Sequence, residues 1–251
     1  TVYGDLQVSI INELPPGRKP VHTLHYNIER RTSVNQFITQ QIDLGRQVYI
    51  VYPLINENEK LDLQDLQNGF TTLCQTFPQY KISMVHGQMR PKDKDEQMQR
   101  FASGETQILV ATTVIEVGVN VPNASVMIIE NADRFGLSQL HQLRGRVGRG
   151  NTQSYCLLLF GHNVSEDGLK RLDILCETDD GFVIAEQDLM MRGVGELMGT
   201  RQSGWLHYHF VNYREHRDLF KLASRAARDN DIDTWTHDLM FIFNRGVVLG
   251  A

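Results

Sequence analysis

The chain has 251 residues, of which 41% are hydrophobic and 22% are charged, a composition typical of soluble globular proteins. This length exceeds that of one average domain and predicts a core domain with an appendage. The net charge of −5 excludes a protein that holds nucleic acid by bulk positive charge, so any contact with phosphate groups must be local.

The three cysteines, Cys74, Cys156 and Cys176, are far apart and lack C-x-x-C spacing. We therefore expect neither a metal site nor a disulfide framework, and a reduced compartment fits best. No apolar run approaches the ~20 residues that a membrane-spanning helix needs, and we expect no membrane partner. The chain begins at Thr1 rather than Met, which suggests a fragment or a processed product.

Residues 1–20 contain a Pro-Pro-Gly cluster between two apolar stretches, which predicts a linker. From residue 21 to about residue 162, short apolar runs alternate with longer helix-like segments, and the runs predict strands buried on both faces. The predicted strands are Val48–Leu54, Ile82–Val85, Ile108–Ala111, Val126–Ile129 and Tyr155–Phe160. The predicted helices are Ser33–Leu44, Leu61–Phe77 and Pro91–Phe101. The alternation predicts an α/β domain whose parallel sheet is sandwiched by helices, with the functional loops at the carboxyl ends of the strands.

The stretch from Gln142 to Gly150 holds three arginines and three glycines in nine residues. If a helix runs on from Ser138 as its N-cap, Gln142, Arg146 and Arg149 share one face, and Arg144 points elsewhere. Planar guanidinium groups suit phosphate oxygens, so the shared face can stabilise charge on a transferred phosphoryl group. The alternative is a solvated basic helix end.

Two glycines, Gly145 and Gly148, lie within this predicted helix. Each costs about 1 kcal/mol relative to alanine in a helix interior, so helix propensity does not explain them. The close approach of another surface or of a ligand would explain both glycines.

After Gly161 the pattern predicts a helical hairpin, with one helix carrying Leu169, Leu172 and Leu175, a break at Asp180-Gly181, and a second helix at Ile184–Met191. A polar, glycine-rich loop follows and completes a predicted unit of residues 163–205. Its candidate functional residues are Arg192, Glu196, Thr200, Arg201 and Gln202. An ordinary surface loop is the alternative. Residues 206–251 are predicted to form a C-terminal helical segment without an assigned function.

Three segments, His86–Met89, Ala111–Pro122 and Gln139–Arg149, resemble the ordered motifs of the second, RecA-like motor domain of superfamily 2 helicases. Within that superfamily, the RecG family and the transcription–repair coupling factors share a helical hairpin followed by a glycine-rich loop. Tyr3–Leu6, Glu13–Pro20 and Gly199–Gly204 are similar to RecG. Coupling factors generally carry acidic residues where Thr200 and Arg201 stand.

The resemblance implies the C-terminal motor half of an ATP-dependent DNA helicase that remodels stalled replication forks and branched recombination intermediates. Arg146 and Arg149 match the arginine fingers that reach ATP held by the first motor domain, and Gln142 begins that motif. Gly118 and Asn120 match the segment beside the nucleotide's sugar, although the family usually has aspartate at the position of Asn120.

The resemblance also assigns the nucleic-acid contacts. Gly87 and Thr112 match positions that touch the DNA phosphate backbone, which position the protein without reading sequence. The loop motif that moves on DNA is matched by Arg192, Glu196, Thr200, Arg201 and Gln202. The expected partners are forked or branched duplex DNA, a first motor domain and an N-terminal wedge domain in cis, and single-strand DNA-binding protein as a further candidate. The implied location is the bacterial cytoplasm, in association with the nucleoid.

The sequence contains neither a G-x-x-x-x-G-K-[ST] phosphate loop nor a D-E-x-H or D-E-x-Q run. We therefore expect ATP and Mg²⁺ to be held mainly by the first motor domain, and this chain alone to bind neither tightly and to be inactive. Two alternatives stay open, namely a coupling-factor translocase and a non-hydrolysing module of the same fold that binds DNA or a partner.

Overall fold

The computed structural model describes residues 19–53, 59–112, 121–150 and 152–192, without the side chains of residues 59–62 and 192. From residue 19 to residue 191 the described residues belong to one compact unit. The predicted C-terminal segment and nearly all of the predicted linker lie outside them. Within the described ranges, no helix is both long and apolar enough to cross a membrane.

The described residues form a parallel sheet of six strands in the order β1-β6-β5-β2-β4-β3. The strands are β1 Val21–Asn27, β2 Gln47–Val51, β3 Ile82–Val85, β4 Ile108–Ala111, β5 Ala124–Ile129 and β6 Ser154–Phe160. Every residue of β2, β4 and β5 is buried, as their continuous apolar sequences predicted. The predicted RecA-like α/β sheet is therefore confirmed.

Helices cover both faces of the sheet. In chain order they are α1 Arg31–Asp43, α2 Glu59–Thr76, α3 Pro91–Ala102, α4 Leu137–Arg144, α5 Glu166–Glu177 and α6 Gly181–Arg192. Apolar residues of α1 and α2 form one core with one sheet face, whereas α3, α4, α5 and α6 contribute to the core on the other face. Burial of these two apolar faces stabilises the layered arrangement.

The strand β1 was not predicted. It lies at one end of the strand order, and its sequence V-H-T-L-H-Y-N mixes polar and apolar side chains. Only Thr23 is buried, while Leu24 is 45% exposed. An edge strand with one neighbour need not be apolar throughout, so the search for apolar runs missed it.

The prediction of one long helix through the arginine–glycine stretch is wrong. The helix α4 begins after Gly136, whose N–H donates to Gln139 Oε1 at 3.1 Å, so Ser138 is not the N-cap. It ends at Arg144, and Gly148 adopts a φ of +77°, which an α-helix cannot contain. Consequently Gln142 is helical, whereas the two arginines that follow Arg144 lie in a loop and do not extend its face.

The helices α5 and α6 occur where the leucine spacing and the Asp-Gly break predicted a hairpin. Ser165 caps α5, since its Oγ accepts a hydrogen bond from Gly168 N at 3.1 Å. Leu172 and Leu175 of α5 and Ile184 of α6 are buried in the core that α4 also enters. The hairpin is therefore packed onto the domain through apolar contacts.

Candidate functional site

The segment Gly145–Gly150, called here the arginine loop, lies at the amino-terminal edge of the sheet. It follows α4 and leads into the amino end of β6. A Cβ atom on Gly150 would lie 2.8 Å from the carbonyl oxygen of Pro122, which lies two residues before the start of β5. The expectation that the functional loops lie at the carboxyl ends of the strands is therefore wrong for this loop, because α4 returns the chain to the opposite edge.

The arginine loop is fixed by packing and by its own backbone. Val147 is fully buried in the domain core, whereas the flanking Arg146 and Arg149 are not fully buried. Arg149 Nε donates to the Gly145 carbonyl oxygen at 3.2 Å. Arg146 is half-buried and Arg149 is exposed, so the anchored loop holds both guanidinium groups at the protein surface.

The charges of Arg146 and Arg149 are not neutralised by the described part of the chain, in which neither forms an ion pair with a carboxylate. Burial raises the pKa of the Tyr49 hydroxyl to about 12, and the positive charges of Arg149 and Arg146 oppose that rise. Both arginines therefore lie within electrostatic range of this core tyrosine. Two guanidinium forks with free charge are donors that fit phosphate oxygens.

Arg144 has the different environment that its spacing predicted. It is 3% exposed and donates to the carbonyl oxygens of Leu175 at 2.6 Å and Thr178 at 2.9 Å. Its guanidinium also pairs with Asp179 Oδ1 at 3.1 Å. This arginine therefore fastens the end of α4 to the end of α5 and to the turn of the hairpin.

Two further residues of α4 contact the hairpin from the same helix face. His141 Nδ1 lies 3.0 Å from Arg144 Nη2, and a Cβ on Gly181 would lie 3.2 Å from His141 Nε2. Ser138 Oγ donates to Asp188 Oδ2 of α6 at 2.6 Å. Residues three apart share one side of a helix, so Ser138, His141 and Arg144 form a polar seam along the hairpin. His141 accordingly lies at this joint.

Gly87 and Thr112 come together at the carboxyl edge of the sheet. They follow the neighbouring strands β3 and β4, and Thr112 N donates to the Val85 carbonyl oxygen at 3.3 Å. Gly87 is exposed, whereas Thr112 is 1% exposed and its hydroxyl has no hydrogen-bond partner in the described ranges. These two residues therefore lie at the sheet edge opposite the arginine loop.

The remaining predicted site residues lie wholly or partly outside the described part of the chain. Arg192 ends α6, and its side chain is outside the description. The others outside the described residues are Gly118, Asn120, Glu196, Thr200, Arg201 and Gln202.

The sequence did not reveal a polar cluster at the carboxyl edge, in which Arg31 donates to Glu130 beside the Tyr52 hydroxyl. Arg31 and Glu130 are 99 residues apart, and neither belongs to a recognised motif. No local sequence signal could have paired them, because the contact exists only once β2 and β5 are adjacent.

The parallel sheet, the arginine loop and the hairpin joint form a RecA-like domain that resembles the second domain of helicase motors. The family described as helicase conserved C-terminal domain matches residues 29–151. Together with its relatives, this places the chain in the RecG family. The chain is 48% identical over 228 residues to the ATP-dependent DNA helicase RecG of Synechocystis sp., covering 90% of this chain and 27% of that protein.

A second relative, the ATP-dependent DNA helicase RecG of Thermotoga maritima, is 44% identical over 232 residues, covering 92% of this chain and 30% of the relative. The solved structure of RecG bound to a three-way DNA junction superimposes with a TM-score of 0.67 at 42% identity, covering 87% of this chain and 28% of that chain. The chain thus spans roughly a third of the length of these relatives.

Proposed function

We propose that this chain is the C-terminal motor half of an ATP-dependent double-stranded DNA translocase, which remodels stalled replication forks and branched recombination intermediates. The relatives named ATP-dependent DNA helicase RecG, and the RecG structure with a three-way junction, support this proposal. The observation that carries it is the arginine loop, which holds two guanidinium groups without a described carboxylate partner.

Arg146 and Arg149 act on a nucleotide that is bound outside this chain. ATP and its Mg²⁺ supply the phosphoryl chemistry and are held mainly by a first motor domain, since the chain has no phosphate loop of its own. The arginines donate to phosphate oxygens and stabilise the charge that develops during transfer. Gln142 approaches the same nucleotide from the last turn of α4, and Gly118 and Asn120 lie beside its sugar.

The hairpin couples this chemistry to movement on DNA. A shift of the arginine loop toward the nucleotide moves the end of α4, and Arg144, which is bonded to Leu175 and Thr178, moves α5 with it. The contact of Ser138 with Asp188 transmits the same shift to α6. The helix α6 leads into the proposed translocation loop, where Glu196, Thr200, Arg201 and Gln202 act on the duplex.

The carboxyl edge holds the DNA backbone. Gly87 exposes backbone that a phosphate can approach closely, and the buried Thr112 hydroxyl has no hydrogen-bond partner among the described residues. Both contacts are independent of sequence, as a translocase requires. The proposed partners in cis are the first motor domain and a wedge domain, with single-strand DNA-binding protein as a partner in trans, in the bacterial cytoplasm.

The test is the substitution Arg149→Ala in the full-length protein, assayed by DNA-stimulated ATP hydrolysis on branched DNA. Loss of an arginine finger lowers the catalytic rate by about 10³-fold or more. Arg100→Ala is the matched control, because Arg100 is a partly exposed arginine that pairs with Glu105 on α3's side of the sheet. Activity of Arg149→Ala within about twofold of the control would contradict the proposed role of the arginine loop, whereas an unsubstituted full-length protein without DNA-stimulated hydrolysis would favour a non-hydrolysing DNA-binding module.

A further inference from the structure

A polar cluster of Arg31, Glu130 and Tyr52 lies at the end of β2, which Tyr52 follows directly. The Arg31 guanidinium donates to Glu130, which is 5% exposed, and the Tyr52 hydroxyl lies close enough to raise the pKa of Arg31. Burial lowers the pKa of Arg31, but the Glu130 carboxylate and the Tyr52 hydroxyl more than offset it, and the net pKa is raised. The contact between Arg31 and Glu130 ties the start of α1 to the end of β5.

Tyr52 is wedged between this ion pair and α2. Its hydroxyl occupies the space that Gly69 leaves open, since a Cβ on Gly69 would lie 2.5 Å from that oxygen and 2.6 Å from the ring carbon that bears it. No side chain larger than hydrogen fits at Gly69 unless Tyr52 moves. Burial, followed by the negative charge of Glu130, raises the pKa of Tyr52, so the hydroxyl stays protonated. The phenol thus contacts α1 and α2 from the end of β2.

The backbone of Tyr52 belongs to a ladder of hydrogen bonds that runs along the carboxyl edge. Glu130 N donates to the Val51 carbonyl oxygen at 2.8 Å, and Tyr52 N donates to the Ala111 carbonyl oxygen at 2.9 Å. Thr112 N, one residue further, donates to the Val85 carbonyl oxygen at 3.3 Å. Displacement of Tyr52 therefore acts directly on the strand end that presents Thr112.

We propose that Tyr52 is a positioning residue for DNA binding, and that its hydroxyl, packed against Gly69 beside the Arg31–Glu130 pair, sets the position of the sheet edge that carries Thr112 and Gly87. This inference rests on the proposed function, in which that edge contacts the phosphate backbone. Tyr52 acts through the edge and does not itself touch DNA. The affinity for DNA therefore depends on its hydroxyl, whereas hydrolysis at the opposite edge does not.

The test is Tyr52→Phe in the full-length protein, with the Michaelis constant for branched DNA measured through DNA-stimulated ATP hydrolysis. Loss of the hydroxyl that packs between Gly69 and the Arg31–Glu130 pair raises that constant by about fivefold, while the rate at saturating DNA stays within about twofold. Tyr80→Phe is the matched control, because the Tyr80 hydroxyl donates to Asp43 at 2.6 Å on the surface, and this variant leaves both constants unchanged.

Two further variants complete the experiment. Gly69→Ala displaces the Tyr52 hydroxyl without removing it, and should raise the Michaelis constant for DNA in the same way; it also carries the test if Tyr52→Phe does not fold. Thr112→Val tests the DNA-contacting edge itself. If the Michaelis constant for DNA rises in Thr112→Val but does not change in Tyr52→Phe and Gly69→Ala, the positioning role of Tyr52 is overturned while the DNA-contacting edge is retained.

No change in Thr112→Val would remove the DNA-contacting edge from the proposed function, and the positioning role with it. A Tyr52→Phe variant whose rate and DNA constant worsen only in proportion to a lowered melting temperature also overturns the proposal. In that case the tyrosine stabilises the fold and does not position the edge.

Discussion

Arg144, Arg146 and Arg149 lie within six residues of one another, yet only Arg144 is enclosed by protein. Arg144 uses its planar fork to satisfy two carbonyl oxygens and Asp179 at the hairpin. The other two present theirs to solvent from the arginine loop. One residue type therefore serves as a structural anchor and as a source of free charge, and the end of α4 at Arg144 separates these environments.

Replacing Arg144 by lysine should lower the melting temperature of the full-length protein and reduce the DNA unwound per ATP hydrolysed. A single ammonium cannot reproduce the fixed fork, and a buried carbonyl left without its donor costs about 1–3 kcal/mol. Differential scanning calorimetry and a coupled unwinding assay measure the two effects. Arg100→Lys is the control, since its ion pair with Glu105 is largely exposed. Equal melting temperatures and equal coupling in the two variants would contradict the anchoring role.

His86 predicts a pH dependence of stability. Burial and the positive charge of Lys94 lower its pKa below the ordinary value of 6.5. The folded protein therefore disfavours the protonated form, so the stability that His86 contributes is fully present above pH 6.5 and is lost as the pH falls through its lower folded pKa. Melting temperatures of wild type and His86→Gln, compared at about pH 8 and about pH 5, should converge at the acidic end. A constant difference between them would exclude this contribution.

The position of the arginine loop, which begins and ends at a glycine, should control the rate of ATP hydrolysis. Gly150→Ala brings a Cβ to 2.8 Å from the Pro122 carbonyl oxygen, so the loop must move away from the sheet edge. We expect the rate of DNA-stimulated ATP hydrolysis to fall at least about tenfold, because transition-state contacts tolerate little misplacement. Gly161→Ala is the control, since its Cβ meets nothing within 4 Å and the rate should not change. Equal rates in the two variants would show that the position of the loop is not critical.

The sequence predicted the elements whose own residues define them. Continuous apolar runs predicted five strands, and leucine spacing predicted the hairpin of α5 and α6. The strand β1 escaped because an edge strand is only partly buried. The predicted continuation of α4 past Arg144 was wrong, because the helix already ends before Gly145 and the positive φ of Gly148 is a backbone choice that glycine permits and does not require.

The candidate site was only partly predictable for a related reason. Motif order predicted Arg146, Arg149, Gly87 and Thr112 as candidate site residues, but the edge of the sheet on which each lies depends on the strand order and on the direction of α4. The cluster of Arg31, Glu130 and Tyr52 depends on the strand order, which brings together residues 99 positions apart. Such contacts follow from tertiary packing and leave no spacing pattern in the chain.

The described domain carries its candidate site residues at two opposite edges of the sheet. The amino edge holds the arginine loop, the carboxyl edge holds Gly87 and Thr112, and α4 runs between them. The polar seam of α4 joins this helix to the hairpin. In the proposed function the arginines respond to a nucleotide bound by another domain, so motion begins at one edge and is transmitted through α4.

In the proposed function, Arg146 and Arg149 stabilise the transition state of a nucleotide held elsewhere in the full-length protein. The direct measurement is the affinity of the Arg146→Ala/Arg149→Ala double variant for ADP alone and for ADP with aluminium fluoride, a mimic of the transferred phosphoryl group, in the presence of branched DNA. If the two arginines act in the transition state, their removal should weaken binding of the mimic by about 100-fold or more and leave the affinity for ADP within about threefold. Equal losses for both ligands, or no loss for either, would contradict the claim.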